Sequence, residues 1–306
     1  MCKIISVVGP TASGKTRLSV ELAKKLSAQI VSVDSMQIYR KLDIGTAKVT
    51  SAEMQGITHH MINCFEPTEN CSVQNFISMA RNKIDQLISA GINCVLVGGT
   101  GLYVDHLIQD TQFVDMPSND GLRKKLNAKD EKELYALLSN LDPVAAKRLH
   151  PNDKKRVVRA LEIYELTGKS IVYWEELSHE NSNPLQVTMI GLNYVDRQVL
   201  YDRINERVDI MFDLGLEQEV RSLKLIDGFE GSTAAEAIGY KEMIRYLNGE
   251  ISIDEAKEQI KQNTRRYAKR QITWFKRNPN IHWINVESGM SFEEIYQKAL
   301  EIVERN

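Results

Sequence analysis

The sequence predicts an α/β fold, in which a parallel-sheet core is interrupted by a helical insertion. Three observations predict it. Strand and helix patterns alternate along the first third, a glycine-rich loop joins the first strand to the first helix, and short helical patterns fill a stretch between two polar breaker clusters. We therefore assign residues 1–114 and 185–306 to the core domain and residues 115–184 to the helical insertion.

The first third alternates apolar β-branched runs with amphipathic helical patterns. This alternation is typical of a parallel sheet with helices packed on it. The predicted elements are a strand over 4–8, a helix over 15–26, a strand over 30–33, a helix over 73–90 and a strand over 94–97.

The middle and last thirds differ in their patterns. Between the breaker clusters at 115–120 and 181–184, the 3.6-residue period predicts only helices, and strand patterns return after the second cluster. The predicted elements are helices over 131–141, 143–149 and 153–167, a strand over 186–192, helices over 199–214, 233–247 and 252–277, a strand over 282–286 and a helix over 292–304.

The composition is that of a near-neutral globular protein. The 306 residues carry a net charge of −2, with 42% hydrophobic and 26% charged residues, so binding of nucleic acid would need local basic patches. Four cysteines without a C-x-x-C pair favour reduced thiols in a cytoplasmic protein over a disulfide scaffold. We expect no signal peptide, because the sequence runs from its start straight into the first predicted strand. We expect no membrane span, because no apolar run approaches the ~18 residues that a span needs.

Residues 9–16 match the P-loop pattern G-x-x-x-x-G-K-[ST] without a mismatch. The strand before the loop and the helix after it are the context that this motif requires, and they predict a P-loop NTPase-like core. Backbone N–H groups and the helix N-terminus can hold a polyphosphate or pyrophosphate, Lys15 can add a charge, and Thr16 can add a hydroxyl for Mg²⁺. The predicted diphosphate-binding residues of the loop are Gly9, Pro10, Thr11, Ala12, Ser13, Gly14, Lys15 and Thr16.

Asp34 follows the second predicted strand, which we expect to be next to the P-loop. Ligands of open α/β sheets bind along the carboxyl ends of the strands. A carboxylate there could hold Mg²⁺ through water or take a proton from a nucleophile, but it could equally be a helix N-cap or a solvated turn residue. The glycine-rich run 98–101, which includes Thr100, is expected at the same edge and is weak evidence by itself.

Basic residues concentrate in two segments, 154–159 and 261–277. Such faces could contact phosphates, although each segment alone is more typical of a solvated helix face. Arg203 and Arg207 lie four residues apart on a predicted helix. One of them could reach a phosphate, but the spacing by itself favours an ion-pair network with Glu206.

Together these segments resemble one family, the bacterial tRNA dimethylallyltransferases. The matching motifs follow the family's order and span nearly the whole chain. They are GPTASGKT at 9–16, VDSMQIYR at 33–40, DIGTAK at 43–48, VGGTGLY at 97–103, HPNDKKRVVRALE at 150–162, RINERVDIMFDLGLEQEV at 203–220, AIGYKEM at 237–243 and RRYAKRQITWFKR at 265–277.

The resemblance implies a reaction and a set of roles. The dimethylallyl group of dimethylallyl diphosphate would move to N6 of the adenine on the 3′ side of the anticodon, and pyrophosphate would leave with the help of Mg²⁺ near Thr16. The implied catalytic residues are Asp34 as general base, Thr16, Thr100 and Arg207, the last also binding the diphosphate.

The resemblance also implies that a tRNA anticodon stem-loop is the partner, and a monomer is a reasonable expectation. The target adenine would be flipped out of its stack and read by Gln37. The implied tRNA-binding residues are Asp34, Ser35, Met36, Gln37, Thr100, Arg123, Lys155, Arg156, Val157, Val158, Arg159, Lys241, Lys269, Arg270 and Trp274.

Three alternatives stay open at this stage. A prenyltransferase acting on free AMP would share the P-loop and Asp34 but would have less use for the insertion and the basic helix. A P-loop kinase or ATPase would transfer or hydrolyse the γ-phosphoryl group of ATP. An RNA-binding module with a vestigial loop is disfavoured by the intact Lys15, Thr16 and Asp34.

Overall fold

The computed structural model describes residues 2–113, 116–178 and 183–305. The chain divides into two compact units, which we call the α/β unit (1–108 and 185–306) and the helical unit (109–184). The helical unit thus begins six residues before the predicted boundary at 115. The parts of the breaker clusters at 115 and at 181–182 lie outside the described residues.

The α/β unit is built on a parallel sheet that has six strands in the described part of the chain. The strand order is β3-β2-β4-β1-β5-β6, and every neighbouring pair is parallel. The strands are β1 Ile4–Val8, β2 Ala28–Ser32, β3 His59–His60, β4 Asn93–Gly98, β5 Thr188–Tyr194 and β6 Ile281–Val286.

The register brings three predicted segments to one edge of the sheet. Val8 at the end of β1 pairs with Gly98 at the end of β4, and Ser32 at the end of β2 pairs with Val97. The P-loop, Asp34 and Thr100 therefore leave the sheet from the same edge. One expectation is wrong in detail: β4 lies between β2 and β1, so the strand before Asp34 is not next to the P-loop strand.

Each predicted helix has a counterpart in the structure, but the short helices Ser51–Met54, Gly101–Gln109, Asp120–Asn127, Ile171–Leu177 and Leu216–Lys224 were not predicted. The helices are α1 Lys15–Lys25, α2 Ser51–Met54, α3 Val73–Ser89, α4 Gly101–Gln109, α5 Asp120–Asn127, α6 Glu131–Leu141, α7 Pro143–Arg148, α8 Lys154–Thr167, α9 Ile171–Leu177, α10 Arg197–Asp213, α11 Leu216–Lys224, α12 Tyr240–Leu247, α13 Ile253–Phe275 and α14 Phe292–Arg305.

The prediction of a helix over 233–247 is wrong in its first half, because α12 begins only at Tyr240. Gly239 has a φ of 99°, outside the helical region, and its N–H donates to the Glu242 carboxylate over 2.8 Å. Both features mark Gly239 as the start of a helix, so the residues of the predicted segment that precede it favour a turn.

Each unit has its own apolar core. In the α/β unit, Leu18 and Leu22 of α1 pack against Ile30, Val95 and Ile190 of the sheet. In the helical unit, leucines of α6 pack against α8, and the Val157 and Val158 side chains are buried among them. No helix in the described part of the chain is long and apolar enough to cross a membrane.

Candidate active site

A cleft of about 380 Å³ opens at the carboxyl edge of the sheet. It brings together residues of the P-loop, of the segment after β2, and of helices α10 and α13. The predicted site residues that line it are Thr11, Lys15, Thr16, Asp34, Ser35, Met36, Gln37, Arg207, Lys241 and Arg270.

The P-loop has the backbone shape of an anion cradle. Gly9 has a φ of 143°, and a Cβ there would lie 2.9 Å from the Leu192 carbonyl oxygen, so the loop requires glycine at this position. Gly14 has a φ of 89° and is the N-cap of α1, so the N-terminal end of α1 lies beside the cleft. Unpaired N–H groups and the helix dipole favour an anion at such an end.

Gln271 of α13 fixes the P-loop to the end of β4. Its side-chain Oε1 accepts the Thr11 N–H and its Nε2 donates to the Gly99 carbonyl, both over 2.8 Å. Gln271 is buried and was not predicted as a site residue, although it lies in the matched KRQITW segment. The partners are about 170 and 260 residues away along the chain, so no local pattern indicates the contact.

Lys15 is held by the loop itself. Its ammonium donates to the Pro10 carbonyl over 2.6 Å. Burial, and then the neighbouring Arg207 guanidinium, lower the Lys15 pKa to about 7, although the Asp34 carboxylate opposes them. Burial therefore disfavours the charged form of Lys15 in the free protein, and a bound phosphate would favour it.

Asp34 fixes a turn and also lines the cleft. Its Oδ1 accepts the N–H of Met36 over 2.9 Å and that of Gln37 over 3.2 Å, which fixes the turn after β2. The same residue lines the cleft. Next to it, the Thr100 hydroxyl accepts the Ser35 N–H over 3.4 Å, and the two hydroxyl oxygens are also 3.4 Å apart.

Arg203 and Arg207 of α10 both donate to backbone carbonyls. Arg207 donates to Ala47 over 3.4 Å, and Arg203 donates to Ala12 of the P-loop over 2.9 Å. Neither takes part in an ion pair within 4 Å among the residues that the structure describes, so the ion-pair network with Glu206 is not formed. Burial lowers the Arg207 pKa, and the charge of Asp34 raises it.

Comparisons with known proteins show the family to which the chain belongs. The sequence profile of the IPP transferase family matches residues 37–278. The chain is 46% identical to a tRNA dimethylallyltransferase of Thermoanaerobacter sp. (strain X514), over 98% of this chain and 96% of that one. The chain belongs to the IPP transferase family.

Solved structures of similar proteins share the fold. The crystal structure of a tRNA isopentenylpyrophosphate transferase from Bacillus halodurans aligns with a TM-score of 0.74 and 41% identity, over 100% of this chain and 98% of that one. A eukaryotic dimethylallyltransferase acting on tRNA aligns with a TM-score of 0.82 and 29% identity, over 99% of this chain and 79% of that one. The predicted family and α/β fold are thus confirmed.

The basic helix of this IPP transferase family member has two different halves. Lys257 and Lys261 both pair with Asp209 of α10, over 2.8 and 2.7 Å. Lys269 and Arg270 are exposed further along the helix. Lys269 and Arg270 have no carboxylate within 4 Å among the described residues, so they are more available to a ligand than Lys257 and Lys261.

Trp274 has a clear packing role. Its indole N–H donates to Asp105 over 2.7 Å, and a Cβ on Gly101 would lie 2.2 Å from its ring. The tRNA contact that the resemblance implies for Trp274 therefore has to come from the exposed remainder of a half-buried ring.

In the helical unit, the predicted basic residues also fall into two groups. Arg123 and Arg159 both donate to the fully buried Glu162 carboxylate, Arg123 over 2.9 Å. Lys155 and Arg156 are exposed.

The prediction that Val157 and Val158 of this unit contact tRNA needs correction for their side chains. Val157 and Val158 are 0% and 4% exposed, because they occupy the core-facing positions of α8. Their side chains offer no surface to a tRNA, and only the neighbouring cations can do so.

Proposed function

We propose that the chain transfers the dimethylallyl group from dimethylallyl diphosphate to N6 of the adenosine on the 3′ side of the anticodon in tRNA, releasing pyrophosphate. The observation that carries the proposal is the single cleft in which an anion cradle lies beside a carboxylate and an amide side chain. The cradle suits a leaving diphosphate, and the Asp34 and Gln37 side chains suit contact with an adenine. Family membership and relatives named tRNA dimethylallyltransferase support the same activity.

The diphosphate would bind to the P-loop, at the N-terminal end of α1. Backbone N–H groups of residues 12–16 and the Lys15 ammonium would stabilise the charge that develops on the leaving pyrophosphate. Arg207 lines the same cleft and would take part of that charge. Because the P-loop, Lys15 and Arg207 would stabilise a leaving pyrophosphate, the P-loop in this chain does not require ATP as its ligand.

The site is suited to Mg²⁺ with few protein ligands. Thr16 lines the cleft, while no cluster of three metal-ligating side chains exists in the described residues. Mg²⁺ commonly keeps its waters and binds through one or two protein oxygens plus substrate phosphates, so this donor set fits it. When bound beside Thr16, the ion would neutralise the charge of the diphosphate.

The acceptor adenine would enter the cleft beside Asp34. An exocyclic aromatic amine is a weak nucleophile, so hydrogen bonding from N6 to Asp34 and transfer of the N6 proton would assist formation of the C–N bond. Gln37 would read the edge of the base. The base must leave its stack to reach N6, as in other enzymes that act on bases.

The tRNA stem-loop would contact exposed cations of both units. Lys269 and Arg270 on α13 and Lys155 and Arg156 on α8 are exposed, and phosphate contacts from such residues position an RNA without reading its sequence. We expect the protein to act as a monomer in the cytoplasm, where tRNA is present.

One experiment separates this proposal from the alternatives. The purified protein is incubated with Mg²⁺ and dimethylallyl diphosphate, together with either unmodified tRNA or AMP, and the nucleosides are analysed by mass. We expect dimethylallyl adenosine in the tRNA only. Transfer to AMP alone would identify an adenylate prenyltransferase, and ATP turnover without any transfer would identify a kinase or ATPase.

A further inference from the structure

The Glu219 side chain of α11 accepts an unusual number of hydrogen bonds. Its carboxylate accepts three consecutive backbone N–H groups, those of Asp43 over 3.0 Å, Ile44 over 2.7 Å and Gly45 over 3.1 Å. It also accepts the Tyr240 hydroxyl over 2.6 Å. Three successive N–H groups directed at one anion form a backbone nest, and here the anion belongs to the chain itself.

Tyr240 joins the same nest to the start of α12. The ring is fully buried, and a Cβ on Gly45 would lie 2.5 Å from it, so the loop can pack on the ring only with glycine at this position. Burial and then the Glu219 charge raise the Tyr240 pKa, so the hydroxyl keeps its proton and remains a donor. Two segments that line the cleft, 45–49 and 236–241, therefore share one anchor.

Residues 46–48 form the other end of the loop over 43–48, and two of them contact residues of the cleft. The carbonyls of Thr46 and Ala47 accept the Gln37 amide N–H₂ over 3.3 and 3.4 Å, and Ala47 also accepts the Arg207 guanidinium over 3.4 Å. Lys48 closes the loop by donating to the Asp43 carboxylate over 2.7 Å. A displacement at residues 43–45 would consequently shift the carbonyls that orient Gln37 and Arg207.

We infer that Glu219 is a positioning residue, which holds loop 43–48 in the conformation that orients Gln37 and Arg207 in the cleft. We call the contacts of Glu219 with the loop the clamp. The clamp follows from the geometry alone, while its effect on transfer rests on the proposed function. In its described contacts Glu219 reaches the cleft through residues 43–45 of the loop and through Tyr240, so it acts on the alignment of the reacting groups. Alignment of this kind contributes to the rate constant of a bound complex, since small displacements of reacting groups are costly.

The test compares Glu219→Gln with Glu217→Gln, which removes the same charge from the same helix. Glu217 pairs only with Arg221 on the surface, over 2.6 Å, among its described contacts. Single-turnover transfer to tRNA is measured with each protein. We expect Glu219→Gln to lower the rate constant at least tenfold, with an unchanged amplitude and a tRNA Kd within threefold. Glu217→Gln is expected to match the parent chain.

A merely structural role would give a different result. Loss of folded protein would reduce the amplitude while the remaining molecules react at the parental rate, and that outcome would overturn the inference. Parental values of both quantities in Glu219→Gln would overturn it as well.

Hydrogen exchange of the unliganded proteins tests the clamp without any substrate. Glu219→Gln is expected to speed exchange of the amides of residues 43–45 at least tenfold, while exchange in β1 and β4 stays unchanged. Unchanged exchange at 43–45 would refute the clamp. If the parent chain transfers nothing to tRNA, the proposed function fails, and the exchange result alone decides on the clamp.

Discussion

The cleft and the basic helix α13 hold their cations in different ways. In the cleft, Lys15 and Arg207 donate to backbone carbonyl oxygens. On the first half of α13, Lys257 and Lys261 donate to the Asp209 carboxylate. A carbonyl neutralises little of a cation's charge, whereas a carboxylate neutralises most of it. The partner of a basic side chain, more than the density of basic residues, therefore indicates which cations are available for phosphate.

The helical unit repeats this contrast over a few residues of α8. Arg159 is paired with the buried Glu162, while Lys155 and Arg156 are exposed, Arg156 in a surface pair with Asp153 over 3.5 Å. A segment that the sequence presents as one basic stretch is thus part scaffold and part accessible surface. The following predictions test that division, from the largest expected effect to the smallest.

The largest effect is expected at Asp34. Asp34→Ala should lower the single-turnover transfer rate by roughly 10²–10⁴-fold, the range typical of a lost general base, while tRNA affinity stays within a few-fold. Asp34→Asn keeps an oxygen that can accept the N–H groups of Met36 and Gln37 but has no basic carboxylate. We expect it to be as slow as the alanine variant. If Asp34→Asn reacts at the parental rate, the role of Asp34 is to fix the turn.

Glu162 should contribute to stability as a paired scaffold charge. Glu162→Gln leaves two arginines without their carboxylate, and we expect a loss of about 2 kcal/mol in unfolding free energy. This is less than the ~3–5 kcal/mol of a fully buried pair, because both arginines are partly exposed. Thermal unfolding at pH 7 measures the loss, with the exposed Glu165→Gln on the same helix as the control.

The Glu162 contribution should also depend on pH in a defined direction. Burial raises the pKa of this carboxyl, but hydrogen bonds from Asn119, Arg159 and Arg123 outweigh burial and hold the pKa below its usual value. The stabilisation is therefore complete above the unfolded pKa of about 4.3 and is lost as pH falls through the lower folded pKa. The difference between parent and Glu162→Gln should shrink in acid; a difference that grows there would contradict the pairing.

The two halves of α13 should differ in their effect on tRNA binding. Lys269→Ala combined with Arg270→Ala should weaken binding and flatten its dependence on salt by about 1.5 in the slope of log K against log salt, as expected for two lost phosphate contacts. The matched pair Lys257→Ala with Lys261→Ala should change that slope less, because both cations share the Asp209 carboxylate and Lys257 also lies near the charges of Asp213 and Asp254. Equal slopes in both double variants would show that the contrast within α13 has no bearing on RNA.

The sequence predicted the elements whose signals are local. The β1, P-loop and α1 sequence was predicted almost to the residue, since flanking periodicity and the motif agree. Strand β3 was not predicted, because two residues carry no period. The residues that hold the site together, Gln271 and Glu219, were not assigned either, since the backbone groups that they bind lie at least 170 positions away along the chain.

The assignments made from the resemblance carry a different error. Val157 and Val158 came with a matched motif, although α8 turns both toward the core. A motif reports that a segment is shared by the family, but it does not distinguish residues that contact a ligand from residues that pack. Helical periodicity, weighed against the motif, would have identified both as core residues.

The smallest effect concerns Lys15 and tests whether a cation held by a carbonyl is available to phosphate. With a pKa of about 7 in the free protein, Lys15 is mostly charged below pH 7 and mostly neutral above it. A bound diphosphate favours the charged form, so binding above pH 7 requires uptake of a proton. The Kd for pyrophosphate with Mg²⁺ should then rise by up to about tenfold per pH unit from pH 7.5 to 9.

Lys15→Arg is the control, because arginine stays charged throughout this range and any remaining pH dependence belongs to pyrophosphate itself. Calorimetry in buffers of different ionisation enthalpy should detect the proton uptake directly in the parent chain and not in Lys15→Arg. The same slope in both proteins would mean that Lys15 is already fully charged in the free cleft, and that the Pro10 carbonyl and the nearby Asp34 together stabilise the ammonium against burial.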